Sequence, residues 1–143
     1  MGWLIDTNIL SELRKGRRAD ARVLAWADSV RFEPQFISVL SLGEIRKGIE
    51  MVRSKDAKQA LALEAWMENL KSGYAEAVLP VCSRVADVWG HLQAERTLPV
   101  IDGLLAATAR VHYLKIATRN TEDFQELGID VVNPFEGEGS DLC

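Results

Sequence analysis

Short apolar runs alternate with longer amphipathic stretches along this chain, and that alternation constrains its fold most strongly. The apolar runs predict strands at residues 3–5, 36–38, 78–81, 115–118 and 131–132. The helical spacing of apolar residues predicts helices at 7–15, 20–30, 42–53, 55–71, 84–96, 102–113 and 121–126. Strands separated by helices form a parallel sheet covered on both faces. The sequence therefore predicts an α/β fold, a three-layer sandwich with a short, mainly parallel central sheet.

The length and composition fit one ordinary globular unit. The chain has 143 residues, of which 48% are hydrophobic and 27% charged, and it contains no internal repeat or linker. We predict a single domain over 1–135 and a flexible, glycine-containing tail over 136–143. No apolar run approaches the ~18 residues that a membrane helix needs, and the N-terminus does not resemble a signal peptide. We therefore expect a cytoplasmic protein without membrane association.

Several oxygen-bearing side chains fall at the ends of predicted elements. Asp6 follows the first strand, Asn120 follows the fourth, and Asp123 lies one turn further on. Glu44 and Asp102 lie early in two helices. In parallel α/β sheets, functional sites form beyond the carboxyl ends of the strands, so we expect these side chains to converge on one crevice.

A group of carboxylates points to a particular chemistry. Carboxylates gathered in one cleft repel each other unless a cation or a proton compensates. Oxygen donors of Asp, Glu and Asn suit Mg²⁺ or Mn²⁺, whereas zinc favours His and Cys. Such ions assist phosphodiester hydrolysis by activating water and stabilising charge. The sequence offers no GxSxG segment, no Cys–His pairing and no histidine pair as an alternative catalytic group.

Each of these residues also has a purely structural interpretation. Asp6 fits an N-cap of the helix that follows it, and Ser41-Leu42-Gly43-Glu44 fits a capping box. Asp102 would suit the positive end of its helix without a metal. Asn120 fits a turn, and Asp123 fits a solvated position. Taken singly, the residues leave both interpretations open.

Four segments in order resemble the motifs of the PIN-domain family, and within it the small VapC-like toxins of toxin–antitoxin pairs. The segments are Asp6-Thr7-Asn8, Glu44 through Gly48, Asp102 through Ala107, and Thr118-Arg119-Asn120 with Asp123-Phe124. The resemblance extends from residue 3 to Pro134. It implies a metal-dependent endoribonuclease toxin that hydrolyses RNA phosphodiester bonds and is inhibited by a cognate antitoxin.

The resemblance also implies roles for individual residues. Asp6, Glu44, Asp102 and Asn120 match the catalytic positions, and the same four with Asp123 would ligate Mg²⁺ or Mn²⁺. Thr7, Thr118, Arg119 and Arg14 would orient water or RNA phosphates. Many relatives carry Asp where Asn120 stands. Asn still offers a carbonyl oxygen, but it removes one negative charge and would weaken a second metal site.

The implied partners are an RNA substrate, a cognate antitoxin and a second copy of the chain, with DNA contacted only indirectly through the antitoxin complex. The net charge of -4 argues against broad, salt-driven nucleic-acid binding by the whole surface. Two alternatives remain open. One is a PIN-like module that lost competent metal binding through Asn120 and works by binding protein or RNA. The other is a phosphatase or phosphotransferase with Asp6 as nucleophile. The haloacid-dehalogenase-like pattern of such enzymes needs a second Asp two residues later, where Asn8 stands.

Overall fold

The computed structural model describes residues 1–137, and its strands in that range form one parallel sheet. They are β1 (Trp3–Ile5), β2 (Gln35–Ser38), β3 (Val78–Leu79), β4 (Lys115–Ala117) and β5 (Val131–Val132). Their order across the sheet is β3-β2-β1-β4-β5, and each neighbouring pair is parallel. The predicted α/β class with a short parallel sheet is confirmed.

The helices pack on both faces of this sheet. They are α1 (Thr7–Leu13), α2 (Ala21–Ser29), α3 (Val39–Arg53), α4 (Ala57–Tyr74), α5 (Ser83–Glu95) and α6 (Val100–His112). Short 3-10 turns lie at Gly16–Arg18, Ala75–Ala77, Glu122–Phe124 and Pro134–Glu136. No helix within residues 1–137 is long and apolar enough to cross a membrane.

Strand β1 shows why the molecule has three layers. Successive strand side chains point to opposite faces of a sheet. Leu4 accordingly packs in a buried cluster with residues of α5 and α6, such as Leu92 and Leu105. Trp3 and Ile5 belong to a second cluster, which contains residues of α1, α2 and α4. Burial on both faces explains why this strand is apolar at every position, and it confirms the predicted three-layer sandwich.

Helix α3 begins three residues earlier than the sequence predicted. Ser38 is its N-cap, and the Ser38 hydroxyl oxygen accepts a hydrogen bond from the Leu40 N–H at 3.0 Å. The predicted capping box at Ser41 is therefore wrong, and Ser41 is a buried residue inside the helix. The sequence offered two serines, and the one at the end of β2 is the cap.

Other boundaries also differ by up to three residues. Helix α4 continues through Gly73 to Tyr74 and ends where Ala75 takes a positive φ of 41°. Helix α6 begins at Val100, directly after Pro99, so that Asp102 lies in its first turn. The helix predicted at 121–126 is only the 3-10 turn Glu122–Phe124. Of the tail predicted at 136–143, Glu136 belongs to a 3-10 turn, and residues 138–143 lie outside the described residues.

The strand order creates a crevice at the carboxyl ends of β1 and β4. The chain runs from β1 to β2 and β3 on one side of the sheet, whereas β4 and β5 occupy the other side. Ligand sites in parallel sheets form where the strand order changes direction in this way. The Asp6 N–H donates to the Ala117 carbonyl at 2.9 Å. Asp6 and Thr118, which follow these two strands, are therefore neighbours.

Candidate metal centre

Asp6 is a buried carboxylate with both oxygens in hydrogen bonds. It is the N-cap of α1, as the structural interpretation predicted, and its Oδ1 accepts from the Thr7 N–H at 2.7 Å. Its Oδ2 accepts from the Thr118 hydroxyl at 2.8 Å. The residue is only 7% exposed. Burial raises the pKa of Asp6, while hydrogen bonds from Thr118, Thr7 and Asn8 oppose that shift.

Asn8 is a residue of the site that the sequence reasoning did not select. Its Nδ2 donates to Thr118 Oγ1 at 3.3 Å and lies 3.4 Å from Asp6 Oδ2. Its Oδ1 accepts from the Arg119 N–H at 3.1 Å. The Asn8 side chain therefore joins the start of α1 to the segment after β4. Its place in the Asp6-Thr7-Asn8 motif was the signal that could have identified it.

Glu44 approaches the crevice from α3. It is exposed, and its Oε1 accepts from the Thr7 hydroxyl at 2.7 Å. Because α3 begins at Val39, Glu44 lies in the second turn of the helix and does not cap it. The capping box would have placed Glu44 in the first turn, and that placement is wrong, but the Glu44 carboxylate still reaches Thr7 of α1.

Asp102, Asn120 and Asp123 meet on the other side of the crevice. Asn120 Nδ2 donates to Asp123 Oδ2 at 2.8 Å and to Asp102 Oδ2 at 3.2 Å. The Asn120 N–H also donates to Thr118 Oγ1 at 3.1 Å, which ties the group to Asp6. Asp123 therefore faces the site and is not simply solvated.

The electrostatics of this group show uncompensated negative charge. Partial burial, together with the neighbouring carboxylates of Asp123, Asp6 and Glu44, raises the pKa of Asp102 to about 7. The pKa of Asp123 is lowered by its hydrogen bonds with Asp102 and Asn120. In the absence of a cation, the Asp102–Asp123 pair therefore retains one proton close to neutral pH. Asp6, Glu44, Asp102, Asn120 and Asp123 are called the acidic cluster below.

The acidic cluster fits a hard divalent cation. All of its donor atoms are oxygens, and its charge is partly suppressed by a proton that a cation would replace. Within residues 1–137, no three acidic, histidine or cysteine side chains are close enough together to ligate one ion directly. Mg²⁺ does not require three direct protein ligands, because it commonly uses one or two carboxylates and keeps several waters.

Of the four residues predicted to contact substrate, the two threonines are hydrogen-bonded to carboxylates and the two arginines lie over aromatic rings. The hydroxyls of Thr7 and Thr118 are engaged with Glu44 and Asp6, respectively. The Arg14 guanidinium lies 5.7 Å from the centre of the Trp66 ring, and Arg14 lines a groove together with Thr7 and Glu44. The Arg119 guanidinium lies 4.3 Å from the centre of the Phe135 ring, in a cation–π contact. Substrate contact by any of the four remains a prediction.

The raised pKa of Asp102 predicts how stability depends on pH without metal. The native state retains a proton between the ordinary pKa of 3.8 and the native value of about 7, whereas the unfolded state releases it. This contribution to stability is complete below pH 4 and is lost as the pH rises towards 7. Because Asp102 is partly solvated, we expect a loss of only about 1 kcal/mol.

Thermal unfolding at pH 5 and pH 8 in EDTA tests this dependence. The difference in Tm between wild type and Asp102→Asn isolates the contribution, since other carboxylates titrate in both proteins. We expect wild type to lose stability relative to the variant as pH rises. A constant difference between the two proteins would contradict a raised pKa at Asp102.

Comparison with known proteins defines the class. The sequence model of the PIN domain family matches residues 3–129, which is most of the chain. The VapC ribonuclease Y4jK of Sinorhizobium fredii is 31% identical over 139 residues, covering 93% of this chain and 97% of that protein. This chain therefore belongs to the PIN-domain family and, within it, to the VapC-like group.

Solved structures agree with this assignment. The crystal structure of FitAcB from Neisseria gonorrhoeae matches with a TM-score of 0.83 at 29% identity, covering 94% of this chain and 99% of that one. A toxin–antitoxin complex from Klebsiella pneumoniae matches with a TM-score of 0.65 at 25% identity, covering 93% and 98% of the two chains. The family fold thus extends over nearly the whole chain.

Proposed function

We propose that this protein is an endoribonuclease toxin that hydrolyses RNA phosphodiester bonds with the help of Mg²⁺ or Mn²⁺ and is inhibited by a cognate antitoxin. The observation that carries the proposal is the acidic cluster, in which the pKa of Asp102 is raised to about 7 by burial and by the carboxylates around it. Carboxylates with strongly raised pKa values cluster at functional sites. The ribonuclease relative supports the reaction class.

The residues that would hold the cation are Asp6, Glu44 and Asp102, with Asn120 and Asp123 completing the site. When bound, a divalent cation neutralises charge on the scissile phosphate and makes water a better nucleophile. Thr118 and Asn8 orient the Asp6 carboxylate. Thr7 holds Glu44 against the same side of the crevice.

The cations near the site suit a phosphate backbone. Arg14 shares the groove of Thr7 and Glu44, and the backbone of Arg119 is fixed by Asn8 beside the cluster. Guanidinium groups in such places can hold RNA phosphates on either side of the bond that breaks. Neither arginine reads base identity by these contacts alone, so the proposal names RNA as a class and no sequence.

The proposal includes an antitoxin, a homodimer and a cytoplasmic location. An apolar groove of about 550 Å³ lies beside the cluster and is lined by Val39, Leu40, Gly43, Glu44, Lys47, Gly48, Met51 and Ile101. Met51 and Val39 in this groove are exposed, so the groove presents an apolar surface to solvent. A groove next to Glu44 would let one bound segment fill apolar space and block the carboxylates.

Cleavage products test the reaction class. Purified protein free of antitoxin should cut a mixed cellular RNA pool into discrete fragments in Mg²⁺ or Mn²⁺. Attack by water leaves a phosphate monoester on one new end, whereas attack by the RNA 2′-hydroxyl leaves a 2′,3′-cyclic phosphate. We expect no cyclic ends, because within residues 1–137 the cluster offers carboxylates and no histidine pair. Cyclic ends as the main product would reject the proposed chemistry.

A non-catalytic binding module is the second candidate. Its support is Asn120, an amide at a position where the resemblance to the family implies a carboxylate. The structure also shows no three direct ligating groups within residues 1–137. Titration calorimetry separates the candidates. Binding of Mn²⁺ by the folded protein favours the enzyme, whereas no binding with or without RNA favours the module.

Thr118 offers a prediction with a matched control. Thr118→Val keeps the shape of the side chain but removes the hydroxyl that donates to Asp6 and accepts from the Asn120 N–H. We expect RNA cleavage to fall by about 10–100-fold, as for other partners that orient a metal ligand. Thr118→Ser retains the hydroxyl and should retain most of the activity. Equal rates for the Val and Ser variants in cleavage assays would contradict this role.

A further inference from the structure

Arg96, which follows α5, makes an unusual set of contacts with a neighbouring turn. Its Nη1 donates to the Gln125 carbonyl at 2.7 Å. Its Nη2 donates to the Asp123 carbonyl at 2.7 Å and to the Glu122 carbonyl at 3.4 Å. These carbonyls belong to residues 122–125, which contain the 3-10 turn that carries Asp123. One half-buried guanidinium therefore binds three backbone carbonyls of this segment.

Few other backbone contacts hold this turn. The Phe124 N–H donates to the Thr121 carbonyl at 3.1 Å, and the Gln125 N–H to the Glu122 carbonyl at 3.4 Å. Directly after the turn, Glu126 has a φ of 63°, which is unfavourable for a residue with a side chain. Phe124 is fully buried and anchors the turn to the core, but it does not fix where the flanking carboxylate points.

The same end of α5 also fixes the start of α6. Gln93 Nε2 donates to the Leu98 carbonyl at 3.0 Å, and the Leu98 N–H donates to Gln93 Oε1 at 3.1 Å. Leu98 immediately precedes Pro99 and α6, whose first turn carries Asp102. Gln93 thus holds the approach to Asp102, while Arg96, three residues later, holds the turn of Asp123. The two carboxylates that share Asn120 are supported from one place.

We propose that Arg96 is a positioning residue of the acidic cluster, which keeps Asp123 facing Asn120 and Asp102 so that Asp123 takes part in holding the divalent cation. This inference rests on the proposed function, because it assigns Asp123 a place in the same metal centre. Arg96 itself touches neither substrate nor cation. Its planar fork reaches carbonyls of three residues at once, which the single ammonium of a lysine does not reproduce.

Mn²⁺ affinity measured by titration calorimetry, without RNA, tests the proposal. Arg96→Met keeps a long apolar stem and removes every donor, and we expect Mn²⁺ affinity about 10–100-fold weaker than that of wild type. Arg96→Lys retains the charge, and we expect a smaller loss. Arg84→Met is the matched control, because Arg84 is an exposed arginine of α5, the helix that Arg96 follows, and its replacement should leave the affinity unchanged. Circular dichroism establishes that each variant is folded.

A double-mutant cycle with Asp123→Asn distinguishes positioning from general stabilisation. If Arg96 acts through Asp123, Arg96→Met weakens Mn²⁺ binding in wild type and has no further effect once Asp123 is Asn. Hydrogen exchange of residues 121–126 should also be faster in Arg96→Met. Should Arg96→Met not fold, the same cycle with Arg96→Lys decides the question.

The outcomes separate this inference from the proposed function. Wild type that binds no Mn²⁺ would reject the metal centre itself. Wild type that binds Mn²⁺, together with an Arg96→Met affinity that is unchanged or a loss that persists in the Asp123→Asn background, would overturn the positioning role alone.

Discussion

Asp102→Asn is expected to abolish RNA cleavage while making the metal-free protein more stable. Partial burial of the Asp102 carboxylate, together with its neighbours Asp123, Asp6 and Glu44, raises its pKa to about 7. Removing its charge should reduce cleavage at least about 100-fold, since a charged group that helps hold a catalytic metal is lost. The same change relieves repulsion, and we expect about 1 kcal/mol of added stability at pH 8 after allowance for solvent.

Lost cleavage combined with gained stability identifies a functional site. Replacing a residue that only stabilises the fold would instead make the protein less stable. Tm in EDTA and the rate of RNA cleavage in Mn²⁺ are the two measurements. Asp87→Asn is the control, since Asp87 is an exposed carboxylate on α5, and we expect both quantities to stay near wild type. An active Asp102→Asn protein, or one that is less stable at pH 8, would contradict the assigned role.

Asn120→Asp is expected to have the opposite effect on stability and to tighten metal binding. The Asn120 amide donates to both Asp102 and Asp123, and Asp replaces this donor with a further carboxylate. We expect the metal-free protein to lose about 1–3 kcal/mol. A cation should restore that loss, because the added charge strengthens its binding, and stabilisation by a ligand grows with its affinity.

Thermal unfolding across a Mn²⁺ titration measures this change. Asn120→Asp should unfold at a lower temperature than wild type in EDTA. Its Tm should rise more than that of wild type with each addition of Mn²⁺. The double variant Asn120→Asp with Asp123→Asn is the matched control, because it restores the wild-type charge of the cluster. If Asn120→Asp gained no more from Mn²⁺ than wild type does, Asn120 would lie outside the metal centre.

The fold could be predicted because its signals are local. The apolar stretch Trp3–Ile5 followed by Asp6 specifies a buried strand and a helix cap in consecutive residues, and the structure has both. The start of α3 could not be predicted as well. Ser38 and Ser41 have the same capping chemistry, and only the end of β2 at Ser38 decides between them.

The candidate site was predicted as a set of positions but not as a set of contacts. The motifs bring Asp6, Asp102 and Asn120 to one crevice because parallel strands end together. The direction of the Asp123 carboxylate depends instead on a 3-10 turn and on Arg96, which is 27 residues earlier in the chain. The position of Arg119 over Phe135 depends on packing in the same way. Contacts between residues far apart in the chain produce no periodic pattern in the sequence, so sequence patterns do not predict them.

Cleavage of mixed cellular RNA by wild type and by Asp6→Asn, each in Mg²⁺, in Mn²⁺ and in EDTA, tests the central claim most directly. Asp6 is the buried carboxylate of the cluster, and Asn has nearly the same shape, so the variant removes charge with little change in packing. We predict discrete fragments from wild type with either metal, and none in EDTA or from Asp6→Asn. Fragments that persist in EDTA, or an Asp6→Asn protein as active as wild type, would contradict a metal-dependent ribonuclease at this site.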